Sequence, residues 1–227
     1  MIKRGITQEQ LKLIAYASML VDHIGYLFVP GYHLRAIGRL AFPIFCFLVA
    51  EGAHHTRSAG RYALRLGLWA LITELPFDFF AYRGWNWRGQ NVMFTLLLGF
   101  LAVQAIRKLP ADWLKIAAVA AAALLAEVLR TDYGSTGVWL VVLFYMGREH
   151  PHRWILYLFG MALLFLQMDS PNVHILGPIY LPLQLFGTAA IVPILLYSGR
   201  KAIAAPWVKW AFYLFYPVHM VLLRLLK

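Results

Sequence analysis

LKLIAYASMLVDHIGYLFV, residues 11–29, is apolar along most of its length yet carries Asp22 and His23 well inside the run. An ionisable group at membrane depth costs roughly 2.5–3.5 kcal/mol near a helix centre on insertion scales, so such groups turn inward toward a partner or a site that uses them. The stretch reads as a membrane-crossing helix with chemistry on its inner face.

The rest of the chain agrees with that reading. Of its 227 residues 61% are hydrophobic and 14% charged, with a mean hydropathy of +0.65, which leaves too little polar surface to clothe a soluble globule. Mostly apolar runs fall near 11–29, 36–54, 61–80, 91–107, 113–130, 136–147, 153–169, 178–197 and 207–226. All but the short sixth are long enough to cross ~30 Å of hydrocarbon, and that one leaves eight and ten as alternative counts. No linker, low-complexity stretch or internal repeat interrupts them, so residues 1–227 are expected to form one domain. The expected fold is all-α, a polytopic integral membrane bundle of about nine transmembrane helices.

The formal net charge of +11 does not point to nucleic acid, because the basic residues sit in short clusters between apolar segments. Lys3 and Arg4 precede the first run, which lacks a small-residue cleavage site and is expected to stay as a signal anchor. With the N-terminus in the cytoplasm, 14 of the 21 Lys and Arg fall inside: Lys3, Arg4, Lys12, Arg57, Arg61, Arg65, Arg107, Lys108, Lys115, Arg148, Arg153, Arg200, Lys201 and Lys209. The other 7 are Arg35, Arg39, Arg83, Arg88, Arg130, Arg224 and Lys227. This bias predicts N-inside and C-outside. It also brings Asp22, His23, Arg39, Glu74, Asp78, Asn91, Thr95, Asp132 and His219 to one level on the outer side. Glu51, Thr56, Arg57, Arg61 and Arg65 form an anion-friendly patch on the cytoplasmic side.

Several strings are distinctive: MLVDHIG (19–25), GRLAFPIFCFLVAEG (38–52), TELPFD (73–78), NVMFT (91–95), DYG (132–134) and FYPVH (215–219). Occurring in this order, they resemble the TraX family, membrane proteins associated with N-terminal acetylation of the F-type conjugative pilin subunit. TraX proteins in turn look like distant relatives of transmembrane acyltransferases, which include heparan-α-glucosaminide N-acetyltransferase. The resemblance implies a protein of a bacterial inner membrane, with acetyl-CoA taken from the cytoplasm as acyl donor. It also implies an acceptor beyond the membrane, either a pilin-like peptide N-terminus or an envelope glycan. In the wider group a histidine near the first helices is important for transfer, and that role maps onto His23.

The residues bear on this chemistry in their own right. A neutral imidazole takes a proton from an attacking amine or hydroxyl, as acyl transfer requires. Sequence neighbours on a helix diverge by about 100°, so Asp22 either orients His23 or pairs with Arg39 or Arg35 instead. Arg39 stays charged and needs Asp22, Glu74 or a thioester oxygen as partner, unless it only snorkels. Glu74 and Asp78, at i and i+4 around Pro76, could receive a substrate ammonium or cap backbone at a kinked helix end. Asn91, Thr95, Asp132 and His219 complete the candidate acceptor side, although capping and an interfacial position account for them as well. Glu51 with Arg57, Arg61 and Arg65 could hold the donor's phosphates or only mark topology.

Cys46 is alone, so no intramolecular disulfide forms, and it reads as a small buried hydrophobe. His54-His55 has no third ligand, and no metal site is expected. Dinucleotide, P-loop and zinc-protease signatures are missing. The rival reading is a non-enzymatic transporter or a pilus or envelope assembly factor that uses the buried charges as an ion or proton path.

Overall fold

The computed structural model describes residues 5–87, 89–166, 171–176, 179–201 and 206–227. Lys3, Arg4 and Arg88, which enter the charge count, lie outside the described residues. The fold class is all-α, as expected. The helices are α1 (Gln8–Phe28), α2 (His33–Gly38), α3 (Ala41–His55), α4 (Ala59–Tyr82), α5 (Val92–Lys108), α6 (Asp112–Val128), α7 (Gly134–Gly147), α8 (Arg153–Ala162), α9 (Ile191–Leu195) and α10 (Pro206–Leu225). Among the described residues two stretches, Gln8–Phe28 and His33–His55, are long and apolar enough to cross a membrane by length and composition.

The element ends follow local chemistry. Thr7 opens α1 with a capping box: its hydroxyl accepts from the Gln10 amide, while the Gln10 side chain accepts from the Thr7 amide. Ser58 and Asn91 cap α4 and α5 in the same way, each accepting a backbone N–H from the first turn. The helix α4 runs through Pro76 to Tyr82 rather than ending near it.

Two expected spans are corrected. The run 36–54 is not one of them: it lies within the candidate span His33–His55, with a turn at Arg39 and Leu40 between α2 and α3. The run 178–197 is no single helix: β1 (Asn172–Leu176) pairs antiparallel with β2 (Ile179–Pro182), with Val173 opposite Leu181 and His174 opposite Tyr180. A 3-10 helix, Leu183–Ala190, and the short α9 follow. Pro182 has no N–H for a helical ladder and sits at ψ 134°, where it ends the strand and starts the 3-10 turn. By hydropathy alone an apolar strand pair and a helix look alike. The run 153–169 is also shorter as α-helix, passing from α8 into a 3-10 helix at Leu163–Leu166.

By internal contacts the chain forms two compact units: a terminal unit, Met1–Phe45 with Gln167–Lys227, and a central unit, Cys46–Leu166. In the terminal unit α1 packs on α2 and on α10. Lys12 lies over the Phe212 ring, Tyr16 stacks on Phe212 and meets Phe215 edge-on, and His23 reaches His219. Positions advance together along both helices, so α1 and α10 run parallel. Backbone bonds from Ile6 to Leu196 and from Ser198 back to Ile6 tie the approach to α1 to the segment after α9. The helix α2 packs on the 3-10 helix Leu183–Ala190, where Ala36 meets Leu183 and Phe186 together with Val173 of β1.

In the central unit α5 packs against α4, α6 and α7, around fully buried Phe100, Val103, Leu140, Phe144 and Tyr157. The rings of Phe47, Phe144 and Tyr157 meet edge-on. Outward faces are apolar too. Leu64, Leu68, Leu71, Ile72 and Leu75 form one exposed stripe on α4, and Trp207, Trp210, Leu214, Val218 and Leu222 form another on α10.

At the crossing of α5 and α7, a Cβ on Gly99 would stand 2.8 Å from Val141 Cβ, so only glycine allows this approach. Gly99→Ala should therefore destabilise the protein by about 1–3 kcal/mol, the usual cost of overpacking. Thermal unfolding would measure it, and adding Val141→Gly, which removes that Cβ, should reduce the extra cost of Gly99→Ala relative to the Val141→Gly background. An unchanged cost would place the strain elsewhere.

Candidate functional site

In the terminal unit the neighbours Asp22 and His23 take separate partners, as their angular offset demands. Asp22, only 7% exposed, faces α2. Its Oδ1 lies 2.5 Å from Arg39 Nη2 and 3.8 Å from Arg35 Nε. Of the alternatives open for Asp22, the geometry realises the ion pair, and both arginines considered as partners take part. Arg39 is itself poorly exposed, so it is a paired charge rather than a snorkelling one. The pair depends on Gly38: a Cβ there would stand 2.2 Å from Asp22 Cβ and 2.6 Å from its Oδ1. Glycine lets the backbone of α2 press against the carboxylate and brings the next residue, Arg39, onto it.

His23 faces α10. Its Nδ1 is 2.6 Å from His219 Nε2, and the rings are nearly parallel at 4° with centroids 4.8 Å apart. His219 Nδ1 is in turn 2.6 Å from the Phe215 carbonyl oxygen, one turn back on the same helix, and its ring stacks on Phe215 at 4.7 Å. His219 is thus a partner of His23 rather than a separate acceptor contact. It is buried, at 6% exposed, so the interfacial alternative does not apply. Pro217, inside α10, supplies no N–H to the Tyr213 carbonyl.

The remaining predicted residues lie in the central unit, where they bind one another. Asn91, 0% exposed, is the hub. Its backbone N–H and Nδ2 donate to Glu74 Oε2 at 3.1 and 2.5 Å, its Nδ2 also reaches the Ala70 carbonyl at 2.8 Å, and its Oδ1 accepts the Met93 amide. Asp78 accepts the Asn86 amide at 3.0 Å. Glu74 and Asp78 therefore each hold their own backbone donor, the capping alternative. Thr95, also fully buried, lies 2.9 Å from Thr131 Oγ1 and donates to the Asp132 carbonyl. What Asp132 gives here is main chain. Glu74 Oε1, Asp78 Oδ1 and Thr73 Oγ1 are buried without a hydrogen-bond partner among the described residues.

The expected donor patch divides by burial. Glu51 is 5% exposed and its Oε1 sits 2.7 Å from Arg148 Nε, while the His55 ring meets the Glu51 carbonyl at 2.8 Å. It anchors the end of α3 to the end of α7. Arg57 and Arg61 are exposed, and Arg65 is half-buried over the Tyr62 ring at 5.2 Å. Sequence reasoning missed Arg148, Asn86, Thr131 and the Phe215 carbonyl. Arg148 stands out only as a basic residue between apolar runs, and a backbone carbonyl leaves no trace in sequence.

The terminal unit of this helical protein thus sets a part-buried histidine pair beside a carboxylate–guanidinium pair of little exposure. The family described as TraX protein matches residues 7–227, and the chain belongs to that family. A probable fimbrial assembly protein of Dichelobacter nodosus, FimC of serogroup H1, is 32% identical over 237 residues, covering 94% of this chain and 93% of that protein. An uncharacterized protein of Rickettsia prowazekii (strain Madrid E) is 49% identical over 41 residues, 18% of this chain and 16% of its own length. No solved structure matches the chain.

Removing one partner of a buried ion pair strands the other, at a cost of about 3–5 kcal/mol. Asp22→Asn and Arg39→Gln should each lose stability on that scale in denaturant titrations of the detergent-solubilised protein. The double variant should lose much less than the two together. Strict additivity would mean that the two side chains are not energetically coupled.

Proposed function

We propose that this protein is a polytopic membrane acetyltransferase that works in pilus or fimbria assembly. In this reading it takes acetyl from cytoplasmic acetyl-CoA and delivers it to an amine, such as a pilin-like N-terminus, or to a hydroxyl at the outer side of the membrane. The observation that carries the chemistry is the part-buried contact between His23 and His219, which equips an apolar interior with a proton-accepting ring. Membership of TraX, whose resemblance implies pilin acetylation, supports the reaction, and the fimbrial assembly relative supports the setting.

The chemical step is assigned to the terminal unit. The acceptor's nitrogen attacks the thioester carbonyl carbon while His23 takes its proton. The tetrahedral intermediate collapses with loss of the carbon–sulfur bond, and the proton passes to the departing CoA sulfur. Asp22 and Arg39 form a fixed pair of charges on the adjoining face of α1, an electrostatic frame set before substrate arrives. In the same reading Arg57, Arg61 and Arg65 meet the donor's phosphates.

A membrane setting is supported by the exposed apolar stripes of α4 and α10 and by the two helices able to cross a bilayer. Parallel α1 and α10 favour termini on opposite sides. A second reading, a non-enzymatic assembly factor, draws on the relative's name, and turnover separates the two.

His23→Ala should leave a folded protein that releases CoA thiol, in the presence of acceptor, at least ~100-fold more slowly. Wild-type protein that consumes no acetyl-CoA with any amine or hydroxyl acceptor would favour the assembly factor. Single Arg57→Gln, Arg61→Gln and Arg65→Gln changes should weaken acetyl-CoA binding, most at low salt, because exposed charges are screened over a Debye length of about 8 Å in physiological salt. Three unchanged affinities would leave these arginines as topology signals. Reporter fusions should place residue 1 in the cytoplasm and residue 227 outside, and reporters on the same side would overturn this orientation.

A further inference from the structure

We infer that His219 is a positioning residue: it selects the tautomer of His23 and so makes Nε2 of His23 the atom that accepts the proton. The inference deepens the acetyl-transfer reading and rests on it for the identity of the reaction, but the tautomer itself follows from geometry. The Phe215 carbonyl can only accept a hydrogen bond, so His219 Nδ1, 2.6 Å away, carries a hydrogen. In the neutral ring His219 Nε2 is then the lone-pair nitrogen. It faces His23 Nδ1 at 2.6 Å, and that nitrogen must donate. A neutral His23 with hydrogen on Nδ1 has its lone pair on Nε2.

Each link is held by structure. The Phe215 carbonyl lies one helical turn before His219, and the Phe215 ring stacks on the imidazole it orients. The two imidazole planes lie within 4°. Asp22, the acid that sequence adjacency offers as orienter, is engaged by Arg39 instead. A neutral ring thus performs for His23 what a carboxylate performs in the Ser-His-Asp arrangement, holding Nδ1–H and presenting Nε2.

The consequence appears during transfer. When the acceptor's lone pair forms the bond to the thioester carbon, its proton moves to His23 Nε2 and His23 becomes imidazolium. The Nδ1–H bond to His219 is then charge-assisted and stronger than in the resting state. An interaction that strengthens as charge develops accelerates the step rather than only binding substrate. The carbon–sulfur bond breaks, Nε2 returns the proton to sulfur, and the resting tautomer is restored.

The test uses full-length protein in detergent with 15N-labelled histidine, the His23 signals being assigned by their loss in His23→Gln. Wild-type His23 should show a protonated, pyrrole-type Nδ1 and a pyridine-type Nε2. His219→Gln, whose amide oxygen can still accept from Nδ1–H, should keep that pattern and most of the turnover. His219→Leu should shift His23 toward the Nε2-protonated form and lower kcat at least ~10-fold with little change in KM, since a wrong tautomer costs up to ~10⁴ in the Ser-His-Asp case. A wild-type His23 protonated at Nε2, or a His219→Leu variant with an unchanged tautomer, would overturn the inference. The expected nitrogen pattern in a protein that releases no CoA thiol would support the positioning role and overturn only the acetyl-transfer reading.

Discussion

The Asp22–Arg39 pair is the interaction on which the terminal unit depends. A carboxylate in the body of an apolar helix has no water to turn to, and a guanidinium cannot give up its charge. Each requires the other, and the requirement is met only because Gly38 has no side chain to hold α2 away from α1. With that pair in place the neighbouring His23 is directed to a different face of α1, toward α10. One ion pair therefore docks α2 and decides which way the imidazole points. The same demand shapes the central unit, where Glu51 takes Arg148, Glu74 takes Asn91 and Asp78 takes the Asn86 amide.

Much of this was legible from the chain. Apolar runs and the Gly, Pro and Asn punctuation between them place α1, α4, α5, α6 and α10 closely, because burial and helix caps are local properties. The hairpin at Asn172–Pro182 was not legible as strands, since its apolar residues satisfy a helical reading equally well until tertiary pairing decides. In the candidate site, Arg35 and Arg39 emerge from sequence as partners of Asp22 because topology sets all three at one depth. The contact between His23 and His219 spans 196 positions and that between Glu51 and Arg148 spans 97. Helix periodicity says which residues share a level and a face, but not which helices are neighbours.

The residues grouped by sequence as one polar layer prove to be of two kinds. Asn91, Glu74, Thr95 and Asp132 spend their hydrogen bonds joining α4, α5 and the turn between α6 and α7. That is how an apolar bundle pairs most of its buried polar atoms, Glu74 Oε1 being an exception among the described residues. His23 and His219 also bond to one another, but imidazole rings can exchange protons while keeping their place. This property, not burial or ionisability alone, separates the histidine pair from the polar seam.

The terminal unit is built from both ends of the polypeptide, whereas the central unit is one continuous segment. A ribosome making this chain delivers His23 well before His219, so the histidine pair closes only when α10 has been made. The contacts of the central unit are local enough to form while synthesis continues. The central unit is therefore whole before the terminal one can be. A chain cut short before α10 keeps all of the central unit yet never acquires the histidine pair.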